Sequence, residues 1–378
     1  MRTGALSKPA KLSRVDAREF ETLVTDHEAF SADPKGAARV LPRFIVAQGM
    51  QADGRSLAEV DFTGSDLAGT SFVGADLRGA CFNGANLSRC DLRDAVLVGA
   101  DLRGSRFAGA KLTGAVLDQA DLRASVLCLT DENNNLLKTP HGAQISGARL
   151  DHALLDEALA FGVDFTNCSL RGAKLRHANL RHAVFTDANL DRADLHGARL
   201  GGARFDGAIM TGIDIAQLGL PGTALARCVL DINPRAQSRL GEIVQQVEQA
   251  ELWVRSDGAT GSPAKLDGID LRPARGQLAR RRLAGASMRR VTAVGVQFTG
   301  ATLVGANFED ADLRGADFTG ADLRGASFKS AKLAHAILTN ANISPLPLAG
   351  GRERAICFDG ASLDGTGLAG AFPEAGAA

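Results

Sequence analysis

The sequence predicts an all-β solenoid, a chain wound into a four-sided coil of short strands, and three observations predict it. A Leu or Phe falls on nearly every fifth residue from Leu57 to Leu127. A small side chain stands two places before most of these centres, as at Ala75, Ala85, Ala100, Ala110 and Ala120, and Gly is frequent two places after, as at Gly64, Gly69, Gly74, Gly79 and Gly84. Phenylalanines recur at intervals of 20: Phe62 and Phe82; Phe165, Phe185 and Phe205; Phe298 and Phe318; Phe308 and Phe328.

A period of five matches neither the 3.6 of a helix nor the 2.0 of a strand, so the chain has to turn within every unit. Glycine, free to adopt positive φ, suits the corners. The centre and the small residue before it then point inward, and a spacing of 20 stacks rings directly above one another if four units close one coil. A buried centre contributes about 1.5 to 3 kcal/mol against about 1 to 2 kcal/mol of backbone ordering per residue, so only stacked coils are stable. Composition agrees. Aromatics make up 5% of the 378 residues, with no Tyr and one Trp, whereas Gly supplies 43. A sandwich or a doubly wound sheet needs larger core side chains.

The stretches ADLRGACFNGANL (75–87) and ADLRGADFTGADLRGASF (311–328) resemble the motif of the pentapeptide-repeat family, and the resemblance extends over most of the chain. It implies a right-handed quadrilateral β-helix. For function it is less specific, because the family hosts many roles. Some members, those conferring quinolone resistance, bind DNA gyrase by imitating DNA.

In chain order, residues 1–52 read as an N-terminal helical cap and lead-in, with Phe20, Leu23, Val24 and His27 on one stripe. A first solenoid spans 53–232, interrupted at 128–144 by a hairpin or long loop around Asn133, Asn134 and Asn135. Residues 233–263 form a helical insert. Asn233-Pro234 starts it, Leu240, Ile243, Val244, Val247 and Val254 keep helical spacing, and Ser256-Asp257-Gly258 stops it, giving one helix of roughly 20 residues. A second solenoid spans 264–370, interrupted by a hairpin or loop at 344–357, and 371–378 is a flexible tail. Both helices precede a block of repeats, and EAF (28–30) echoes ELW (251–253), as expected of caps over exposed coil ends.

Neither an N-terminal apolar signal segment nor an apolar run of about 18 residues is present, so the expectation is a soluble, cytoplasmic protein. The six cysteines form no C-x-x-C pair, which fits a reducing compartment, and Cys90, Cys168 and Cys228 take the small inward slot. His152, His177, His182, His196 and His335 all fall just after a centre and should face solvent. Metal ligands on one face need a spacing near 20, which none of these pairs shows, so no metal or cofactor is expected. No nucleophile, phosphate-loop or dinucleotide motif appears, and the reading is non-enzymatic.

The charges are more informative. Lys plus Arg equals Asp plus Glu, 43 each. Asp76/Arg78, Asp101/Arg103, Asp121/Arg123, Asp312/Arg314 and Asp322/Arg324 flank their centres, predicting a mosaic of exposed pairs, each worth little. Block 56–127 carries 9 acids and 7 bases and block 143–232 carries 10 and 9, margins too small to imitate a duplex. Block 265–343 differs, with 7 acids against 12 bases. Between Asp270 and Glu309 there is no acid, while Arg272, Arg275, Arg280, Arg281, Arg282, Arg289 and Arg290 form a candidate site for an acidic partner, an anion or nucleic acid. Alternatively they pair with Glu242, Glu248 and Glu251 of the adjacent helix. Arg281 falls on the inward slot of the Leu283 unit, which predicts an irregular coil there. The function expected is a scaffold presenting long solenoid faces to an unidentified protein partner. Two alternatives stand beside it, a gyrase- or topoisomerase-binding regulator of the quinolone-resistance type and an anion or nucleic-acid binder using residues 272–290.

Overall fold

The structure, a computed structural model, describes residues 12–33, 35, 42–128, 143–366 and 368. The expected interruption between Cys128 and Ala143 and the expected tail at 371–378 lie outside the described residues. The chain divides into two compact units, Met1–Leu230 and Asp231–Ala378. Each contains its own apolar core.

Within each unit the backbone repeats every 20 residues. Asp61 bridges Cys81, Cys81 bridges Asp101 and Asp101 bridges Asp121, all in parallel. Leu77 N–H donates to Val96 O (2.8 Å) and Val96 N–H donates to Ala75 O (2.9 Å), so every side of a coil is stitched to the next. Each coil makes four turns. The residue two after each centre sits in the left-handed region, as Gly79 does at φ 63°, but Glu59 (φ 59°), Arg89 (φ 59°) and His177 (φ 58°) are held there as well. The stitching outweighs the ordinary preference for Gly at such positions.

Insertions leave the columns in register. Lys111 bridges Gln144 and Ser327 bridges Cys357, so the ladder resumes in the same columns after each insertion. In the second insertion, β3 (Leu346–Pro347) pairs antiparallel with β4 (Glu353–Arg354) around Gly350 and Gly351. The first coil of the second unit carries two extra residues, since Lys265 bridges Ser287 while Arg282 bridges Thr302 across the usual 20. They are taken up near a 3-10 turn at Arg272–Ala274. The irregularity expected at Arg281 therefore lies upstream of it: Leu283 N–H donates normally to Thr302 O (2.8 Å).

Inside the coils, Phe165, Phe185 and Phe205 stack with centroids 4.9 and 5.1 Å apart and planes within 4°. In the second unit two such columns face each other across the coil. Phe308 lies edge-on to Phe298 (5.7 Å) and Phe318 (5.8 Å), filling the interior with alternating rings. The small slots are closed by Ala, or by a side chain that bonds the coil below. Cys90 Sγ donates to Leu67 O (3.1 Å), Cys168 Sγ to Ile145 O (2.9 Å) and Thr70 Oγ1 to Ala47 O (2.7 Å). Burial pushes the Cys90 thiol up to about 12.

The coil ends are covered. In the first unit β1 (Ser13–Arg14) pairs in parallel with β2 (Ile45–Val46), and between them α1 (Ala17–Ala32) lies over the first coil. Asp16 and Glu19 form a reciprocal capping box at its start. Phe20 of α1 adds a ring to the column of Phe62, 6.4 Å away. At the other end the five-residue spacing persists in sequence through Leu220 and Leu225, but Ile215–Leu218 and Gly222–Leu225 are 3-10 turns. Pro221 has no N–H to offer a ladder, and Asp214 Oδ1 accepts from Ala216 N–H instead (3.2 Å). Ile213, Ile215, Leu218, Leu220 and Leu225 pack there against the core. In the second unit the expected single helix is two, α2 (Pro234–Ser238) and α3 (Leu240–Arg255), broken at Arg239. Asn233 Oδ1 accepts from Ala236 N–H (2.8 Å), as the Asn-Pro start predicts. Ile243, Val247 and Ala250 are the buried face of α3. Among the described residues no helix is long and apolar enough to cross a membrane.

Candidate interaction surfaces

Of the seven arginines singled out by sequence, four are bonded within the second unit. Arg272 is paired with Asp270 (2.7 Å). Arg275 Nε donates to the carbonyl of Gly295 (2.9 Å), the corner directly above it. Arg281 leaves its inward slot through the open end of the first coil, donating to Glu251 Oε2 of α3 (3.1 Å) and to Gln277 O (3.0 Å). Arg289 pairs with Glu309 one coil on (3.1 Å). Arg280, Arg282 and Arg290 are exposed and make no side-chain bond among the described residues. Arg280 and Arg290 occupy corners at φ 59° and 54°. Pairing with the helix acids is thus realised by Glu251, whereas Glu242 bonds Arg239 (2.8 Å).

The Asp-x-Arg units form forked pairs within one side. Arg78 Nε donates to Asp76 Oδ1 (2.8 Å) and Arg324 Nε to Asp322 Oδ1 (2.9 Å). Along one face they link between coils as well, since Arg103 Nε lies 3.7 Å from Asp121 Oδ2. The arginine next to each carboxyl holds Asp76, Asp91 and Asp322 below the usual aspartate range. Arg314 departs from this pattern. Its pair with Asp312 is retained, but it is 2% exposed where the Arg78 side chain is 63% exposed.

The histidines confirm one expectation and correct another. His152, His177 and His182 are exposed corner residues, each folding over the corner glycine of the next coil. The spacing rule missed one pair, however. His196 stands 19 residues after His177, one coil on, and their rings meet at 6.0 Å. No group of three or more metal-ligating side chains occurs among the described residues. An open cavity of about 450 Å³ lies over Asn83, Arg103, Arg123, Asp156 and Glu157.

Block-wise charge counting also passed over four arginines. Arg89, Arg106, Arg181 and Arg199 are exposed, make no ion pair among the described residues and lie along one face of the first unit. The available signal was positional: Arg106 and Arg199 occupy the place before a centre that Asp usually takes.

A sequence model described as "Pentapeptide repeats" matches in eight copies, over residues 56–94, 90–127, 141–176, 173–212, 277–310, 294–329 and 306–344. No curated protein matches the chain. Among solved structures the chain is similar to trypsin-treated QnrB1, a plasmid-mediated fluoroquinolone resistance protein, at 20% identity over 57% of this chain and 97% of that one, with a TM-score of 0.32. It is also similar to HetL, a pentapeptide repeat protein involved in heterocyst differentiation regulation in the cyanobacterium Nostoc, at 22% identity over 90% and 99% of the two chains, with a TM-score of 0.18. A pentapeptide repeat protein of the Arabidopsis thaliana thylakoid lumen is 32% identical over 29% of this chain and 68% of its own, with a TM-score of 0.19. The matched repeats cover more than half of the 378 residues, and the chain belongs to the pentapeptide-repeat family.

Proposed function

We propose that the protein is a non-enzymatic interaction scaffold whose coils, wound in the right-handed quadrilateral sense implied by the family resemblance, present rows of side chains to a protein partner. The observation that carries this reading is the row itself. Bridges every 20 residues place one outward side chain per coil at a fixed repeat of about 4.8 Å, so a face is a rigid, addressable surface. Crosslinking the full chain in extract of its native host, followed by identification of the products, tests it. One reproducible protein partner is the expected result, and the reading falls if only background is captured.

A second reading, anion binding in the second unit, draws support from the unbonded Arg280, Arg282 and Arg290. Replacing all three by Ala should abolish salt-sensitive binding to heparin if it holds. Topoisomerase binding of the quinolone-resistance type is tested by adding the protein to gyrase supercoiling reactions; neither inhibition nor protection from a quinolone would dismiss it.

A further inference from the structure

The first unit has one face unlike its other three. Bridges run in succession from Arg106 to Val126, Leu159, Asn179 and Arg199, giving a straight row across five coils. Beside it runs a parallel row, one place after each centre, that includes Ala108, Phe161, Arg181 and Gly201. On the other faces the arginines beside a centre are ion-paired, as at Asp76/Arg78, Asp101/Arg103, Asp91/Arg93 and Asp194/Arg176. Here the place before the centre is Arg, Val, Leu or Asn. Among the described residues, the row itself holds one acid, Asp66, two coils below Arg106 and bonded to Gln48 and Asn86, and Glu157 stands at the adjoining corner.

The chemistry is cationic at both ends and apolar between. Arg106, with Arg89 at the corner of the coil below, forms one end, and Arg181 and Arg199 form the other. Val126, Leu159 and Phe161 occupy the middle and are half-buried. The Phe161 ring is taken up by His182, edge-on at 5.3 Å, and by the Arg181 guanidinium 5.8 Å above it. At about 4.8 Å per coil, Arg106 and Arg199 stand roughly 19 Å apart.

We propose that this face docks an acidic segment of the partner protein, with acidic residues at its two ends and apolar residues between them. This rests on the scaffold reading and names the surface and the partner's chemistry. Charge complementarity selects the acidic ends, because unpaired, exposed arginines steer and hold carboxylates. The apolar middle selects protein over nucleic acid. A backbone of phosphates would lie on Val126 and Leu159, and the Arg181 guanidinium already stands over the Phe161 ring where a base would stack. An extended segment at about 3.3 Å per residue spans the two ends with about six residues.

Fluorescence anisotropy on the full chain tests the proposal. The probe is a labelled peptide with glutamate blocks on either side of a Leu-Phe-Leu centre, compared with an all-glutamate peptide and a duplex DNA of similar charge. The wild-type protein should bind the first peptide most tightly, with affinity falling as salt rises. Replacing Arg106, Arg181 and Arg199 together by Ala should weaken binding by about tenfold or more, since rim charges govern steering and salt dependence. These side chains are exposed, and circular dichroism checks that the variant keeps its fold. Leu159→Gln, which retains the backbone bridges, should remove the preference for the peptide with the apolar centre. The proposal is overturned if the triple variant binds like wild type, if DNA binds more tightly than the peptide, or if the Ala variant of Arg280, Arg282 and Arg290 loses the peptide instead. A host partner captured equally well by the triple variant overturns this face while leaving the scaffold reading in place.

Discussion

The two units begin with the same device and execute it differently. Helices α1 and α3 are both 16 residues long. Each buries its fourth, eighth and eleventh positions, as Phe20, Val24 and His27 in one and Ile243, Val247 and Ala250 in the other. The twelfth position is glutamate in both, Glu28 and Glu251. Each glutamate bonds an arginine that occupies an inward slot on the first coil, Arg55 before Leu57 and Arg281 before Leu283. An inward Arg is tolerable there because nothing but the helix covers that end, so the guanidinium escapes upward to a carboxylate. The difference lies in how much is fastened. Arg55 reaches Glu28, Glu21 and Thr25, and Glu28 also accepts from Ser56 N–H (2.9 Å), whereas Arg281 reaches one carboxylate and one carbonyl. The first helix carries its own capping box; α3 has no side-chain cap and follows directly on α2. A cap that follows a strand, as α1 follows β1, draws on more bonds of its own.

The strongest way to break this comparison is to strike one core. Phe318→Ala removes a fully buried ring from the second unit and should cost that unit about 3 to 5 kcal/mol. Calorimetry should then show one transition lowered and another unmoved. A single transition shifting as a whole would mean that the separate cores do not melt separately. Next in size are the two pinning arginines. Arg55→Ala is expected to cost about 2 kcal/mol and Arg281→Ala about 1 kcal/mol, because the first strands more partly buried acceptors. Urea titrations that rank them the other way would show that bond number is not what separates the caps.

Acid should sharpen the contrast by a smaller amount. The hydrogen bond from Arg55 is the main cause holding Glu28 below its ordinary 4.5. A depressed carboxylate stabilises the fold above its unfolded value and ceases to as pH falls through its folded value. The hold on α1 should therefore weaken as pH drops below 4.5, and Arg55→Ala should lack that component. Hydrogen exchange in α1 at a series of acid pH values would read it. The smallest effect expected is at a corner. Glu59→Gly exchanges left-handed strain for unfolded-state entropy and should change stability by less than about 1 kcal/mol. A large loss would mean that the Glu59 side chain, not its backbone, matters.

Much of this was legible in the sequence, and the reasons for the rest are physical. The period of five and the phenylalanine interval of 20 report the coil directly, because each centre faces the same interior. The stripe on α1 was visible for the same reason. Two features that look alike in sequence diverge because the next coil is missing: Ile215, Leu220 and Leu225 keep the spacing of centres but have no regular ladder to join. The break at Arg239 was hidden by an apolar pattern that runs through it. Surface chemistry was hardest to see. Counting charges by block averages over four faces, so the paired arginines of three faces masked the unpaired ones of the fourth. Reading residues in steps of 20 from Asp66 brings Arg106 into one row, but following that row to Arg199 requires knowing that Val126 bridges Leu159, across the insertion.

The registered columns also govern how such a chain can change its genes. Deleting five residues would carry every later row onto a neighbouring face, rewriting the whole surface beyond the cut. Deleting 20 would remove one coil and leave the pattern unchanged. Insertions that return the chain to the same column, as before Gln144 and Cys357, are silent in this respect. Exchange of whole coils between relatives is therefore the mutational step that can lengthen or swap a recognition surface without scrambling it.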